Sequence, residues 1–286
     1  MATNETGIAI LGGRGMLGTE LAKTCKQRGF DVNVFDLPEF DITNSQQLKG
    51  AVDTAKIIVN CAAYTNVDGA ESEVELAHQV NAEAVGRLGA LVKEANAWLL
   101  HISTDFVFDG RLDRPYVETD PANPINEYGR TKLEGEQLLG DSGCRHCIMR
   151  VEWTYGSAGS NFVTKLIQHA KTAEVLKVVD DQIGSPTAAT EVAKAICELL
   201  LKKPTGIFHF ASSGCVSRYE MAEFIFDKLS IDVNLLACKT SDYVTAAVRP
   251  LNSRFDCSKI AGLLDEPIES WHVSLERFLA TGYTDF

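Results

Sequence analysis

Tyr128 and Lys132 are the pair of residues whose types and spacing most directly indicate a reaction. They stand four positions apart in a segment with a helical pattern, near 127–140, so both side chains are expected on one face of a helix. A phenol can protonate the alkoxide that forms when a hydride reaches a carbonyl carbon. An ammonium about 4 Å away would favour the phenolate by up to about 4 kcal/mol and so lower the pKa of the tyrosine. The pair therefore predicts reduction of a carbonyl, with Tyr128 as the acid.

The run Ser103-Thr104-Asp105 comes directly after an apolar stretch at 97–102 that has the composition of a buried strand. Doubly wound sheets bind ligands beyond the carboxyl ends of their strands. We therefore expect the Thr104 hydroxyl to polarise the substrate carbonyl beside Tyr128, and Asp105 to order the pocket. The alternative is that Ser103 and Thr104 only cap nearby backbone at the end of the strand.

A glycine-rich loop lies between the first predicted strand, 7–11, and the first predicted helix, 16–28. Its glycines satisfy both spacings that are typical of dinucleotide-binding loops, and they allow a tight turn and a close approach of the backbone to a pyrophosphate. The N-terminus of the following helix supplies N–H donors for the anion. The residues expected at the cofactor are Gly12, Gly15, Met16 and Leu17.

Two residues bear on the choice between NADH and NADPH, and they favour opposite cofactors. Asp36 closes the second predicted strand, 32–36, where a carboxylate accepts hydrogen bonds from the adenosine ribose of NADH. Arg14 lies inside the glycine loop and would attract the 2′-phosphate of NADPH. The sequence leaves the cofactor open between these two.

The elements that position these residues alternate between short apolar runs and amphipathic stretches, which is typical of an α/β fold with a doubly wound parallel sheet of the Rossmann type. Further strands are expected near 56–60 and 146–151, and further helices near 44–54 and 73–95. After Trp153 the pattern loosens into a smaller, discontinuous α/β region. We expect a cofactor-binding domain and a substrate-binding domain; the first takes 1–152 plus about 188–213, and the second takes about 153–187 plus 214–286.

Composition excludes several classes of protein. The net charge is −12, with 39 acidic and 27 basic residues, so the chain repels nucleic acid. No apolar run approaches the length of a membrane span, and the first residues lack the basic segment of a signal peptide. Eight scattered cysteines indicate reduced thiols and a cytoplasmic location. We expect neither a nucleic-acid nor a membrane partner, and no metal site.

Read together, the motifs of nearly the whole chain resemble the extended short-chain dehydrogenase/reductases, and within them the dTDP-4-dehydrorhamnose reductase family. The most specific runs follow the glycine loop. They are Asn60-Cys61-Ala62-Ala63-Tyr64, Ser103-Thr104-Asp105-Phe106-Val107-Phe108-Asp109-Gly110, Tyr128-Gly129-Arg130-Thr131-Lys132, Asp181-Gln182-Ile183-Gly184-Ser185-Pro186-Thr187 and Arg249-Pro250-Leu251-Asn252-Ser253.

This resemblance implies that the 4-keto group of a nucleotide-linked 6-deoxyhexose, dTDP-4-dehydro-L-rhamnose, is reduced by NADH or NADPH to dTDP-L-rhamnose, in a monomer or a homodimer. It implies a catalytic triad of Thr104, Tyr128 and Lys132, and a cofactor site that Ala62, Ala63 and Tyr64 help to line, together with Tyr128 and Lys132 themselves. The residues implied at the substrate are Thr104, Asp105, Phe106, Trp153, Gln182, Arg249 and Asn252, with the indole of Trp153 against the deoxysugar.

Two residues depart from the patterns of related enzymes. Nucleotide-sugar dehydratases carry a glutamate after the Thr-Asp pair, whereas this chain has Phe106, so it lacks the acid for dehydration. Glu152 replaces a small hydroxyl residue and is expected to place an anion near the substrate pocket. The alternatives are a reductase or epimerase of another nucleotide sugar, and a regulatory subunit that binds NAD(P) without catalysis.

Overall fold

Six short strands form one parallel sheet in the computed structural model, which describes residues 7–282. The strands of the described residues, both inside and outside this sheet, are β1 Ile8–Leu11, β2 Val32–Phe35, β3 Ile57–Asn60, β4 Trp98–Thr104, β5 Arg145–Val151, β6 Thr154–Tyr155, β7 Val175–Val179, β8 Ile183–Gly184, β9 Thr187–Ala188, β10 Gly206–Phe210, β11 Val216–Ser217 and β12 Asn234–Cys238. The helices are α1 Met16–Gln27, α2 Ser45–Val52, α3 Val67–Ala70, α4 Val74–His78, α5 Ala84–Glu94, α6 Glu127–Asp141, α7 Phe162–Ala170, α8 Ala189–Lys202, α9 Arg218–Leu229, α10 Ser258–Ala261 and α11 Trp271–Gly282.

The order of strands in the sheet is β10-β5-β4-β3-β1-β2. β1 therefore pairs with β2 on one side and with β3 on the other, in register from Ile8 to Leu11. The chain reverses its direction of winding at β1, and ligands of such sheets bind at this switch point, beyond the carboxyl ends of the strands. The predicted Rossmann-type parallel sheet is confirmed.

Alternate residues of each buried strand face opposite sides of the sheet, where two separate apolar cores lie. Ile8 and Ile10 belong to a core that also contains residues of α1 and α8, such as Leu21 and Ile196. Ala9 and Leu11 belong to the other core, with residues of α2 and α5. Burial on both faces explains why the central strands are almost continuously apolar.

The chain after β5 builds a smaller region from two-stranded pairings and three further helices. β6 pairs with β9, β8 with β11 and β12 with β7. Side chains of α7, α9 and α11 share an apolar core that includes Trp271. The division of the chain into a cofactor domain and a substrate domain stays a prediction.

The predicted single helix at 73–95 is interrupted in the structure. A π-helical turn at Gln79–Glu83 separates α4 from α5. Within it Asn81 is fully buried; its amide oxygen accepts a hydrogen bond from Tyr64 N at 2.9 Å, and its amide nitrogen donates to Thr131 Oγ1 at 3.1 Å. These long-range bonds account for the irregular turn, which helical periodicity cannot predict.

None of the helices among residues 7–282 combines the length and the apolar character that a membrane crossing requires.

Candidate active site

A cleft of about 610 Å³ opens at the carboxyl ends of the central strands. One residue at or just after each of five strands lines it: Gly12, Asp36, Ala62, Thr104 and Trp153. Because parallel strands end at one edge of the sheet, residues far apart in sequence meet here.

The glycine loop fits the pyrophosphate of a dinucleotide. Gly12 has a φ of 72°, and a Cβ at this position would lie 2.5 Å from Ala62 N. α1 begins at Met16 behind Gly15, and no side chain caps this end. The first N–H groups of the helix are therefore available to bind an anion. Met16 and Leu17, predicted at the cofactor, line the cleft with both glycines.

Asp36 and Arg14 differ in where their charges lie. The Asp36 carboxylate lines the cleft and accepts hydrogen bonds from the backbone N–H groups of Arg14 at 2.7 Å and Leu37 at 2.8 Å. The Arg14 side chain instead donates to Glu39 at 2.6 Å and to the Leu37 carbonyl at 2.9 Å. The cofactor end of the cleft therefore presents an acceptor, while the arginine is paired with an exposed glutamate.

The turn after β3 lines the cleft beside the glycine loop. Ala62 N donates to Asn60 Oδ1 at 3.1 Å, and Ala62 and Ala63 line the cleft. Tyr64 is placed differently: its hydroxyl donates to Glu73 Oε2 at 2.7 Å, and it is not among the described residues that line the cleft.

Thr104, Tyr128 and Lys132 all line the cleft. α6 begins one residue before Tyr128 because the Asn126 side chain accepts a hydrogen bond from Gly129 N at 2.8 Å. The next turn of the helix then carries Lys132 on the same face.

The environment of the phenol keeps it protonated. Burial raises the pKa of Tyr128 to about 12, opposed by a hydrogen bond with Thr104. Burial also lowers the pKa of Lys132 to about 8. The expectation that Lys132 lowers the pKa of the tyrosine is wrong for this structure, because desolvation outweighs other effects. The neutral phenol is nevertheless the form that can donate a proton.

Buried groups of β3 and β4 hold Lys132. Its Nζ donates to the Ile102 carbonyl at 2.8 Å and lies 3.3 Å from His101 Nε2. Because Asn60 Oδ1 accepts from Ala62 N, the Asn60 amide nitrogen donates to His101 Nδ1 at 3.0 Å. Burial lowers the pKa of His101 well below its ordinary value, so the ring beside the lysine is neutral.

Asp105, Phe106 and Trp153 line the end of the cleft beyond Tyr128. Asp105 is buried and accepts hydrogen bonds from Ser253 Oγ at 2.5 Å and Thr104 Oγ1 at 3.0 Å. Burial raises its pKa, and these two hydrogen bonds oppose the rise. The Phe106 ring packs edge-on against Tyr128, with centroids 5.5 Å apart.

Three residues implied at the substrate do not line this cleft in the described chain. Gln182 donates to Thr240 Oγ1 at 3.2 Å, and Arg249 donates to both oxygens of Asp68 at 2.7 and 3.0 Å. Asn252 donates to two backbone carbonyls at 2.6 and 2.8 Å. Their polar groups bind neighbouring loops of the protein itself.

Glu152 lies beneath the wall of the cleft and not in it. It is fully buried, one carboxyl oxygen accepts from Ser185 N, and the other has no hydrogen-bond partner among residues 7–282. Burial raises its pKa well above the ordinary value, which favours the neutral acid. The anion expected in the pocket is therefore absent from the lining described here.

Sequence analysis missed Asn161, Phe162 and Arg218, which all line the cleft. Asn161 caps α7, and the capping box of Ser217 with Glu220 begins α9. Both caps are visible in the sequence as helix starts. Nothing in the sequence places these helix starts at the carboxyl edge of the sheet.

The arrangement brings a dinucleotide loop, a protonated phenol and a lysine to one cleft, which suits reduction of a carbonyl group. The model of the RmlD substrate binding domain family matches residues 6–284. A dTDP-4-dehydrorhamnose reductase of Aggregatibacter actinomycetemcomitans is 38% identical over 288 residues, which cover 96% of this chain and 98% of the relative.

Two solved structures of similar proteins extend this comparison. A dTDP-4-dehydrorhamnose reductase from Clostridium acetobutylicum has a TM-score of 0.92 and 35% identity, and the match covers 96% of this chain and 99% of that one. The reductase from Bacillus anthracis, solved in complex with NADP, gives the same score, identity and coverage. The chain therefore belongs to the dTDP-4-dehydrorhamnose reductase family.

Proposed function

We propose that this chain catalyses the NAD(P)H-dependent reduction of the 4-keto group of dTDP-4-dehydro-L-rhamnose to dTDP-L-rhamnose. The observation that carries the proposal is the meeting of Thr104, Tyr128 and Lys132 with the glycine loop at one cleft. Membership of the reductase family supports the same reaction.

Each member of the triad has a separate task. A bound NAD(P)H supplies the hydride that reaches C4 of the sugar. The Tyr128 hydroxyl gives its proton to the developing O4 alkoxide, and the Thr104 hydroxyl turns from Asp105 to stabilise charge on the same oxygen. Lys132 holds the cofactor ribose by hydrogen bonds from its ammonium.

The residues that would hold the cofactor follow the glycine loop and the strand ends. The N-terminus of α1, with Gly12, Gly15, Met16 and Leu17, would bind the pyrophosphate. Ala62 and Ala63 would contact the dinucleotide from the turn after β3. Asp36 accepts from the adenosine ribose, whereas Arg14 reaches a 2′-phosphate only after it leaves Glu39. We therefore propose that NADH and NADPH both serve, with NADH preferred.

The sugar lies at the end of the cleft that Asp105, Phe106 and Trp153 line. Tyr64 at the cofactor, and Gln182, Arg249 and Asn252 at the substrate, stay predictions. They require that loops now bonded to these side chains release them when ligand binds.

We also propose the cellular location, the partners and the oligomeric state of the enzyme. Eight free cysteines and the acidic charge support a cytoplasmic enzyme that works on a nucleotide sugar, without nucleic acid or membrane, as a monomer or homodimer.

The direct test follows the loss of NAD(P)H absorbance with purified protein and dTDP-4-dehydro-L-rhamnose. We expect oxidation of the cofactor and formation of dTDP-L-rhamnose, identified by mass and by comparison with an authentic standard. Oxidation only with other 4-keto nucleotide sugars would favour the alternative substrate class. No oxidation with any of them, despite tight NAD(P)H binding, would favour a regulatory subunit.

A further inference from the structure

Arg218 is a residue of the cleft to which neither the sequence motifs nor the triad gives a task. It opens α9, and its side chain lines the cleft with Trp153 and Phe162. The guanidinium carbon lies 3.5 Å from the centre of the Trp153 ring and 4.6 Å from that of Phe162. Contact with two rings holds the planar group in one orientation and leaves its in-plane N–H groups available.

The N–H groups of this guanidinium have no hydrogen-bond acceptor in the part of the chain that the structure describes. None of residues 7–282 accepts a hydrogen bond from it, and its described partners are the two rings. Burial lowers the pKa of Arg218 to about 9, and the charges of Asp105 and Glu152 oppose this effect. Five donors at the wall of a cleft, without protein acceptors, favour a polar ligand.

The neighbours of Arg218 indicate a sugar and not a phosphate. Asp105 is the acid with the largest effect on the pKa of Arg218, and Asp105 accepts a hydrogen bond from Thr104, which contacts the phenol of Tyr128. Arg218 is therefore at the sugar end of the cleft. The carboxyl group of Asp105 disfavours a diphosphate here, whereas a donor beside an acceptor suits adjacent hydroxyl groups of a hexose.

We propose that Arg218 determines sugar specificity, by donating hydrogen bonds to ring hydroxyls of the hexose while Asp105 accepts from them. The inference deepens the proposed function and rests on it. The family resemblance implied that the Trp153 indole packs against the deoxysugar. Arg218 covers one face of this indole, so a sugar bound beside Trp153 also meets the guanidinium.

The test compares a ligand that has the sugar with one that lacks it. Protein loaded with NADP⁺ is titrated calorimetrically with dTDP-L-rhamnose and, separately, with dTDP. The variants are Arg218→Met, which removes the donors, and Arg218→Lys, which keeps the charge without the planar fork. Arg28→Met, at an exposed position after α1, is the matched control. Thermal unfolding and NADP⁺ binding establish that each variant folds.

We expect Arg218→Met to weaken dTDP-L-rhamnose binding by about tenfold or more, and Arg218→Lys to weaken it less. Both Arg218 variants should bind dTDP and NADP⁺ as the wild type does. Arg28→Met should bind all three ligands as the wild type does. An equal loss for dTDP and dTDP-L-rhamnose would overturn the proposal in favour of a diphosphate contact. Unchanged binding of both ligands in the folded Arg218→Lys and Arg218→Met proteins would also overturn it, and assign Arg218 a packing role.

Failure of the proposed function gives a different result. Wild-type protein would then bind neither dTDP nor dTDP-L-rhamnose, and the inference would fall with it. If the wild type binds both and the variants match it, the inference alone fails.

Discussion

Lys132 carries its charge only over part of the accessible pH range, because burial lowers its pKa to about 8. The ammonium is present below this pKa and is lost as the pH rises through it. We therefore expect kcat/KM to be constant below about pH 8 and to fall about tenfold per pH unit above it. The profile is measured with saturating cofactor held fixed and the sugar nucleotide varied.

Lys132→Arg provides the control for this assignment, because an arginine stays charged throughout. Its activity is lower, since the guanidinium does not fit the contacts of the lysine with Ile102 and His101. The decline above about pH 8 should nevertheless disappear. A decline of the same shape in the variant would show that another group titrates there.

The preference between NADH and NADPH also depends on single residues. Asp36→Asn removes a negative charge that faces the cleft, and we expect the ratio of kcat/KM for NADPH to that for NADH to rise about tenfold. Glu39→Gln releases Arg14, and because this ion pair is exposed the expected rise is smaller, about threefold. Steady-state assays with each cofactor measure both ratios. A fall in either ratio would contradict the roles given to Asp36 and Arg14.

The sequence contained enough information to predict that Thr104, Tyr128 and Lys132 lie at one cleft, because Tyr128 and Lys132 are four residues apart and Thr104 is at the end of a clear strand. It did not reveal the state of the phenol, since burial arises from distant segments. Arg218 was missed for a similar reason: its neighbours Trp153 and Phe162 come from other parts of the chain.

At the scale of elements, the packing of α1 on the glycine loop sets the geometry of the cofactor site. A Cβ at Gly18 would lie 2.2 Å from the Gly12 carbonyl oxygen and 2.5 Å from Gly13 Cα. Gly18→Ala therefore displaces the helix from the loop, and we expect a loss of about 1–3 kcal/mol in the free energy of unfolding. Urea denaturation measures this loss, and NADH binding should weaken in parallel.

Gly50→Ala is the matched control for Gly18→Ala. Gly50 lies on the exposed side of α2, and a Cβ there meets nothing within 4 Å. Alanine favours a helix over glycine, so this variant should gain up to about 1 kcal/mol of stability. Equal effects of the two substitutions would contradict the close packing at Gly18.

Helices and strands could be predicted where the pattern of buried residues is regular along the sequence. The strands of the central sheet are apolar runs between helices, and their positions were found within a few residues. The interruption of the helix at Gln79–Glu83 was not found, because the buried bonds of Asn81 to Tyr64 and Thr131 cross the fold.

At the scale of the whole molecule, one cleft combines the ends of the parallel strands with the starts of α7 and α9. The strand ends provide the glycine loop and Thr104, α6 provides Tyr128 and Lys132, and the starts of α7 and α9 provide Phe162 and Arg218. Hydride donor and sugar are therefore expected on opposite walls of the same cleft, with Tyr128 between them. This arrangement makes the phenol the group on which turnover depends.

The most direct measurement is a single-turnover assay of Tyr128→Phe with saturating NAD(P)H and dTDP-4-dehydro-L-rhamnose. The substitution removes only the hydroxyl, so cofactor binding, followed by nicotinamide fluorescence, should equal that of the wild type. We predict that the rate of cofactor oxidation falls about 100- to 10,000-fold, the range expected for loss of a general acid. A rate within a few-fold of the wild type, with cofactor bound normally, would contradict the account.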